Sequence, residues 1–377
     1  MRPIPKALTI VSRVLILGVA ILLPVAAIAQ EHGWKDLLID EQDGHLDMSN
    51  LLARGGFIPM PIIITEPAVD GGFGLSAYFV GNPEPGSGLP PTRTIAGGAV
   101  TGNGSSGGGF MRSGALGGGK FLYSFAAGAG LSVMDFYPGN RDFALTYNND
   151  IRFVALRARY KFGDSGFSAG PSFRYRSNDV RADAGDRFPG IEDVLGREIV
   201  LPSLGLEAHF DNRDNPITPT DGFNVVAEAQ SYDGAWGSDR DFSSASLFGA
   251  WFGTQADWTL GIMGNAAVTS GDAPFFMEPD INIRGLARNR YRGERALSTE
   301  LEIRKQVTPR WAVLGFAGYG ETFGGGDSDS DAKTYGGGVR YRIARKIGLD
   351  VGLDYARGPE QDVFYIQFGH AWGRQMD

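Results

Sequence analysis

Arginine is concentrated in one short stretch of the chain, residues 281–297, which read INIRGLARNRYRGERAL. The arginines in this stretch are Arg284, Arg288, Arg290, Arg292 and Arg295. A guanidinium group offers a planar fork of donors that fits carboxylates and phosphates, so the stretch can bind either kind of anion. The whole chain is acidic, with 35 basic and 43 acidic residues. Which acidic groups these arginines contact therefore depends on the elements around them.

No other residues have the types and spacing of a catalytic or metal site. GDSG (163–166) has the letters of a protease nucleophile loop, but it lies where a hairpin turn is expected. The acidic run DSDSD (327–331) lacks the glycine and distal glutamate of a calcium loop, and the four histidines are scattered. A net charge of −8 argues against nucleic-acid binding. We expect no catalytic residues, no metal and no cofactor, and hence no enzyme.

The surrounding elements alternate apolar and polar residues with a period of two. In 203–211 (SLGLEAHFD) and 152–162 (RFVALRARYKF), apolar side chains occupy one face and polar side chains the other. Similar segments recur throughout, many of them longer than the five or six residues usual in globular strands. Candidate strands are 56–64, 71–80, 92–101, 106–114, 120–134, 149–162, 167–178, 198–211, 222–233, 241–254, 258–270, 295–307, 310–322, 333–344, 348–357 and 362–372.

The connections between these strands alternate between short turns and long polar loops, which is typical of outer-membrane barrels. Glycine is abundant, at 56 of 377 residues, and suits strands and tight turns. The sequence therefore predicts an all-β fold, a transmembrane antiparallel β-barrel of about sixteen strands (12–16 possible). Its apolar faces would contact lipid and its polar faces would line the lumen.

The first residues predict export. Three basic residues precede the apolar run 14–23, and Ala27-Ile28-Ala29 supplies a small-x-small cleavage site. We expect a signal peptide at 1–29, a short periplasmic segment at 30–55, the barrel at 56–372 and a tail at 373–377. The expected location is the cell outer membrane of a Gram-negative bacterium.

Three motifs stand out in the predicted barrel, namely DNRDNPITPTDGF (211–223), IRGL (283–286) and the last strand FYIQFGHAW (364–372). They resemble motifs of the BamA/TamA superfamily of outer-membrane barrels, the bacterial surface antigen family. The resemblance covers roughly residues 55–372. It implies a loop folded back into the lumen that carries IRGL, and a seam between the first and last strands that can open towards lipid. It also implies a closing-strand signal, here Phe364, Phe368 and Trp372, that the barrel-assembly machinery reads.

The sequence departs from the family pattern in two places. Between Gln30 and Gly55 there is no room for a periplasmic polypeptide-transport-associated domain, so we expect a short member without such domains. In FAGYG (316–320), Gly318 stands where the family carries an aspartate that anchors the loop.

These features lead to a latch hypothesis for the arginine loop. Arg284, followed by Gly285, would enter the lumen and pair mainly with Glu302. Glu300 shares the inward parity of Glu302, and Asp350 or Asp354 would replace the missing aspartate. The alternative is a solvated outer loop that binds lipopolysaccharide phosphates, which we favour for Arg288, Arg290 and Arg292.

A second group of inward basic residues predicts a positive lumen wall. Its members are Arg157, Arg159, Lys161, Arg174 and Arg176. Such a wall can attract anions into a channel, or its members can simply pair with carboxylates on neighbouring strands.

Two functions of different classes follow. The resemblance implies insertion or translocation of protein or lipid through the seam, whereas a polar lumen alone is compatible with a passive solute channel or a structural barrel. The expected partners are outer-membrane lipids, lipopolysaccharide and, during biogenesis, the barrel-assembly machinery, with a homo-oligomer also open.

Overall fold

The computed structural model describes residues 37–53, 56–81, 92–137, 142–182, 196–324 and 329–372. The predicted signal peptide and C-terminal tail lie outside these residues, as do 30–36 and 54–55 of the predicted periplasmic segment. Within the described ranges, the α-helix α1 (Ser49–Ala53) precedes a single sheet of 17 strands, and short 3₁₀ helices lie in the connections at Pro67–Val69, Gly234–Trp236, Phe275–Met277 and Arg345–Ile347. No helix in these ranges is long and apolar enough to cross a membrane.

The strands follow the predicted order closely. They are β1 (Gly56–Ile64), β2 (Gly72–Gly81), β3 (Thr92–Thr101), β4 (Ser106–Leu116), β5 (Phe121–Phe136), β6 (Leu145–Lys161), β7 (Phe167–Ala182), β8 (Glu198–Val200), β9 (Ser203–Asp211), β10 (Gly222–Tyr232), β11 (Phe242–Gln255), β12 (Trp258–Gly271), β13 (Arg295–Gln306), β14 (Trp311–Phe323), β15 (Ser330–Ala344), β16 (Leu349–Arg357) and β17 (Asp362–Phe368). Each strand of the barrel wall pairs antiparallel with the next, so the sheet is an up-and-down meander that curls into a nearly closed barrel.

The predicted strand 198–211 is divided into β8 and β9. Both halves pair with β7 in one register, with Val200 opposite Ser177 and Ser203 opposite Arg174. Pro202, which has no N–H to donate, lies between them, so the ladder is interrupted rather than displaced. Counted as one strand, β8 and β9 give the sixteen wall strands that the sequence predicts.

The two faces of the wall are those expected of a membrane barrel. Leu206 is 67% exposed on the outside, whereas its neighbour Glu207 is 5% exposed and points inward. On β13 the outward Leu301 and Ile303 alternate with buried Glu302. This arrangement is the reverse of a soluble sandwich, because the apolar side chains form the outer surface and the polar ones enclose the lumen. The predicted fold class is confirmed.

The connections alternate between the two ends of the barrel. One end, which we call the turn end, has the short connections 162–166, 256–257, 307–310 and 345–348, and also the ten-residue connection 212–221. The opposite loop end has the longer connections 137–144, 183–197, 233–241 and 272–294, and also the four-residue connections 102–105 and 358–361. Since β1 runs away from the turn end and β17 runs towards it, the two edge strands are antiparallel.

The seam is the line between the edge strands β1 and β17. In the described part of the chain, β1 is laddered only to β2 and β17 only to β16, so the expected closure is not a hydrogen-bonded ladder. β1 contains Pro59 and Pro61, and residues two apart direct their N–H groups to the same side. Both prolines are paired with β2 in a continuous ladder, and a residue without an N–H can take such a place only where its nitrogen faces away from β2. The two missing donors therefore belong to the edge that faces the seam.

Candidate functional site

The connection 272–294, which we call the lumen loop, enters the barrel from the loop end. Its apolar residues Ile281, Ile283 and Leu286 are each at most 6% exposed. They pack against the inward residues of β11 and β12, among them Phe252 and Met263. The loop is therefore fixed in the lumen by apolar burial as well as by charge, as the resemblance implies.

Two glycines on β14 make room for the lumen loop. A Cβ at Gly320 would lie 2.3 Å from Cγ2 of Ile281, and one at Gly318 would lie 3.1 Å from Cδ1 of Ile283. A side chain at either position would overlap the loop. The glycine that replaces the family aspartate thus gives the loop space where the aspartate would give a charge partner.

Arg284 is held by three carboxylates and is 7% exposed. Its Nε donates to Glu300 Oε1 at 2.9 Å, and its backbone N–H donates to Glu300 Oε2 at 3.0 Å. Nη2 donates to Glu302 Oε2 at 2.7 Å, and Nη1 donates to Asp354 Oδ2 at 2.9 Å. The guanidinium carbon also lies 3.6 Å from the centroid of the Phe316 ring. Three of the four predicted carboxylates converge on Arg284, with Glu300 rather than Glu302 making the larger share of the contacts.

The fourth predicted carboxylate, Asp350, does not contact Arg284. It lies closer to the turn end, is fully buried, and pairs with Arg304 and Arg342. Asp354 pairs with Arg340 as well as with Arg284. Of the two aspartates considered as replacements for the missing family residue, Asp354 is the one in contact.

Gly285 brings the lumen loop into contact with the last strand. Its φ of 98° lies in the region that favours glycine, and its N–H donates to the hydroxyl of Tyr365 on β17 at 2.9 Å. A Cβ at Gly358 would lie 2.1 Å from the carbonyl oxygen of Gly285, so the β16–β17 connection also approaches closely.

The C-terminal residues 369–372 turn into the lumen instead of continuing β17. The φ of 76° at Gly369 makes the turn. Trp372 is 3% exposed, and its Nε1 donates to Glu300 Oε1 at 2.6 Å. His370 Nε2 lies 3.4 Å from Glu302 Oε1. Both residues belong to the latch. They were not predicted as members of it because the predicted last strand continued through Gly369 to residue 372.

The predicted closing-strand signal is therefore divided between two environments. Phe364 and Phe368 face outward at 58% and 43% exposure, whereas Trp372 is buried in the lumen. Reading of these residues by the barrel-assembly machinery stays a prediction.

The remaining arginines of the loop differ from one another. Arg290 and Arg292 are 6% and 4% exposed, so the expectation of a solvated outer loop is wrong for them. Aromatic rings cover both groups, those of Tyr137 and Tyr291 for Arg290 and those of Phe136 and Phe275 for Arg292. Arg290 Nη2 also lies 2.9 Å from Asp142, and Arg292 Nη1 donates to the carbonyl of Phe275 at 2.9 Å.

Arg288 lies nearer the surface and contacts the first connection of the barrel. Its side chain is 43% exposed and its Nε lies 3.1 Å from Asp280. Its backbone N–H donates to Glu66 Oε1 at 3.0 Å. Glu66 follows β1, so the lumen loop contacts both sides of the seam.

The predicted basic wall is largely paired with carboxylates. Arg157 and Arg159 lie 3.1 and 3.0 Å from Glu207. Glu207 reaches them across β7 at Gly170, its register partner, which has no side chain to intervene. Arg174 donates to Glu228 at 2.6 Å. These contacts favour charge pairing between strands rather than an open positive surface.

The two other members of the wall lie at its ends. Arg176 donates to Sδ of Met277 at 3.3 Å and lies over the Phe276 ring, both in the lumen loop. Lys161 is the last residue of β6, at the turn end.

The turn within 211–223 folds over the turn end of the barrel. The carbonyl of Ile217 accepts from the N–H of His370 at 2.9 Å, and Asn215 Nδ2 donates to the carbonyl of Ile347 at 3.1 Å. This motif therefore contacts the inward-turned C-terminal residues. Across the described ranges, no group of three or more His, Asp or Glu side chains is placed to hold a metal ion.

The N-terminal segment, residues 37–53, is clamped to the same end by charge. Arg310 lies in the β13–β14 turn with its side chain 4% exposed. It contacts Asp40 and Asp47 at 2.6 Å each and Asp43 at 2.7 Å. Arg345 in the β15–β16 turn adds Asp43 at 2.6 Å and Asp40 at 3.2 Å. No pattern in the sequence joins these residues, which lie more than 260 positions apart.

Acid is expected to leave this segment docked until the pH is well below 4. The hydrogen bond from Arg310 is the main cause that lowers the pKa of Asp43 from its usual 3.8, and Arg310 and Ser49 also lower the pKa of Asp47 against the effect of its burial. A lowered pKa means that the stabilisation is complete above the unfolded value and disappears only as the pH falls through the folded value. The facing titratable groups are Asp40, His45, Arg310, Tyr341, Arg345 and Lys346.

The measurement is the fluorescence anisotropy of a dye on Glu41→Cys, an exposed position in a chain without cysteine. The anisotropy should stay constant from pH 9 to 5 and fall only in stronger acid. A transition near pH 6, where histidine titrates, would contradict the assignment to aspartates.

No protein-family model matches the sequence, and no curated protein matches it either. Solved structures do match. A BamA from Haemophilus ducreyi lacking POTRA domains 1–3 superimposes with a TM-score of 0.57 at 11% identity, over 84% of this chain and 69% of that one. CdiB from Escherichia coli gives 0.59 at 11% identity, over 82% and 61%. CdiB from Acinetobacter baumannii gives 0.54 at 11% identity, over 83% and 59%.

This chain thus spans about three fifths of the length of the two CdiB chains. At this level of identity the likeness concerns the fold. The chain is a sixteen-stranded β-barrel with the fold of BamA and CdiB, the fold that its resemblance to the BamA/TamA superfamily predicts.

Proposed function

We propose that this chain is an outer-membrane barrel that passes lipid or protein through the seam between β1 and β17, with the Arg284 latch holding the seam closed. The observation that carries the proposal is the seam itself. The edge strands have no ladder between them in the described residues, and two prolines remove donors from the β1 edge. A gap with few hydrogen bonds can open at low energetic cost, because few bonds have to be broken.

The outer surface supports a location in a membrane. Large apolar side chains on it are exposed around the wall, including Phe73 at 70%, Leu206 at 67% and Tyr335 at 61%. A surface of this kind is stable only in contact with hydrocarbon. Together with the predicted signal peptide, it favours the outer membrane, where lipopolysaccharide and phospholipid would surround the barrel.

The passive channel remains the alternative, and the lumen contacts weigh against it. The lumen loop occupies part of the lumen, with Ile281, Ile283 and Leu286 buried. The wall arginines Arg157, Arg159 and Arg174 are paired with glutamates, so they offer little free positive charge to a permeating anion.

A disulfide across the seam tests the proposal. Ile63 lies at the loop end of β1. On β17 the loop end is marked by Phe364, whereas Phe368 lies at the opposite, turn end. The useful pair is Ile63→Cys with Phe364→Cys, because both positions face outward near the loop end. The matched control is Ile63→Cys with Phe73→Cys, which joins the same residue to its ladder partner on β2.

In proteoliposomes, the oxidised seam pair should reduce lipid movement between leaflets and assisted folding of an unfolded barrel client to background, and a reductant should restore both. The control pair should leave both unchanged. If the oxidised seam pair alters neither readout while ion conductance in planar bilayers persists, the seam function is wrong and the channel replaces it.

A further inference from the structure

We infer that the N-terminal segment 37–53 is a strap that holds the turn end of the seam closed. It is covalently continuous with β1 on one side of the seam, and on the other side it is clamped to the β13–β14 and β15–β16 turns. The inference rests on the proposed function, since it names what regulates opening of the same seam. We call this segment the seam strap.

The clamp consists of multiply bonded charges, of which Arg310 and Asp47 are buried and Asp40 and Asp43 are partly exposed. The Arg310 guanidinium donates to three aspartates, with Nη2 to Asp40 and Asp43, Nε to Asp43 and Nη1 to Asp47. Separating the strap would break all of these charge-assisted bonds, and rehydration of the guanidinium and the three carboxylates would offset part of that loss. Charge-assisted bonds of this geometry are among the stronger contacts available to a short peptide segment.

Backbone contacts dock the strap along its length. The N–H of Met48 donates to the carbonyl of Ile343 at 2.6 Å, and the hydroxyl of Tyr341 donates to the carbonyl of Leu46 at 2.7 Å. Further on, Ser49 Oγ accepts from the N–H of Lys346 at 2.9 Å. These partners all lie at the end of β15 and in the β15–β16 turn. The strap is therefore attached to the barrel wall beside β16, the only ladder partner of β17 among the described residues.

The link between the strap and β1 is short, so attachment of the strap limits how far β1 can move from β17. Helix α1 ends at Ala53 and β1 begins at Gly56, so the link spans about 10 Å even when fully extended. The start of β1 cannot move away from β17 beyond this reach unless the strap detaches from the turns. A segment docked at this distance restrains the turn end of the seam without pairing with either edge strand.

The loop end has its own tie, which involves different residues. The lumen loop contacts Glu66 just after β1 through Arg288, and it contacts Tyr365 on β17 through Gly285. Tyr291 and Arg290 of the same loop contact Glu360 in the β16–β17 connection. The seam is thus tied at both ends by segments that lie outside the two edge strands, and the two ties can be tested separately.

Spin-label distances across the two ends of the seam test the strap. One pair of labels, on Phe57→Cys and Phe368→Cys, reports the turn end. A second pair, on Ile63→Cys and Phe364→Cys, reports the loop end. Arg310→Gln should shift the turn-end distances to longer values and leave the loop-end distances unchanged. Arg284→Ala should give the opposite pattern, and Arg181→Gln, which removes an exposed ion pair away from the seam, should change neither.

A protease site made by substitution around the link between Ala53 and Gly56, so that the length of the link is kept, gives a variant that folds with the clamp intact. Cleavage after folding should lengthen the turn-end distances just as Arg310→Gln does. Unchanged turn-end distances after cleavage would overturn the strap, as would an equal change at both ends.

Failure of the strap is distinguishable from failure of the seam function. If the distances respond as expected but the seam disulfide alters neither lipid movement nor client folding, the strap stands and the proposed function falls. If the disulfide abolishes these activities while cleavage leaves the distances unchanged, the function stands and the strap is wrong.

Discussion

Arg284→Ala should lower the free energy of unfolding of the barrel by about 3–5 kcal/mol, because removal of one partner from a buried ion cluster leaves the other charges uncompensated. Glu300, Glu302 and Asp354 are 1%, 4% and 0% exposed in the intact barrel and would lose the guanidinium, although Asp354 would keep its pair with Arg340. It also loses the contact with the Phe316 ring. The measurement is urea-induced unfolding in lipid vesicles, followed by tryptophan fluorescence.

Arg295→Ala is the matched control for this prediction. Arg295 belongs to the same arginine-rich stretch but is exposed at the start of β13, so its loss should change the stability by less than about 0.5 kcal/mol. Arg284→Lys should be intermediate, since an ammonium keeps the charge but cannot bond three carboxylates in the geometry of the fork. Equal losses for Arg284→Ala and Arg295→Ala would refute the latch.

Gly320→Val should destabilise the barrel by about 1–3 kcal/mol and displace the lumen loop, since added atoms in a filled core force neighbouring groups apart. A Cβ at this position would lie 2.3 Å from Cγ2 of Ile281 and 3.0 Å from the carbonyl oxygen of Leu297. Ile281 is only 2% exposed and has little space into which to move. The measurement combines unfolding in urea with protease sensitivity of the lumen loop in the folded barrel.

A second substitution separates local overlap from a general effect on the strand. Ile281→Ala removes the atom that the new side chain would meet, so Gly320→Val combined with Ile281→Ala should cost less than the sum of the single changes. Gly249→Val is the control, because a Cβ at Gly249 meets nothing within 4 Å. Additive losses in the double variant would show that the loop is not seated against Gly320.

The wall of the barrel was predictable from local pattern alone. A strand that separates lipid from a wet lumen places apolar and polar residues on alternate positions, and most of the strands show this alternation. It predicted the inward parity of Glu300 and Glu302 and the division of faces that Leu206 and Glu207 display. The one internal boundary that it missed, between β8 and β9, coincides with Pro202.

The partners inside the lumen were only partly predictable. Parity specifies which face a side chain occupies, but the height of a residue in the barrel depends on the register of every strand between it and its partner. Asp350 and Asp354 share a face, and only the register places Asp354 beside Arg284 and Asp350 beside Arg304. Likewise, the burial of Arg290 and Arg292 depends in part on Phe136 and Tyr137, which lie at the end of β5, far away in the sequence.

Two structural features had weaker signals or none in the sequence. Gly369 interrupts the alternation of the last strand, and that break marks the point where the chain turns inward and carries Trp372 to Glu300. The clamp between Arg310 and the aspartates of the N-terminal segment has no local signal, because its members meet only after the barrel has curled.

The amino-acid order by itself determined that this chain forms about sixteen strands and which residues of each strand share a face, because alternation depends on neighbours one and two positions away. The lengths of the strands and connections indicated that the apolar faces point outward. Tertiary structure alone decided that Asp354 rather than Asp350 completes the Arg284 latch, that β1 and β17 meet without a ladder, and that the N-terminal segment lies beside their seam. These depend on contacts between residues far apart in the chain, and only the closing of the sheet brings such residues within bonding distance.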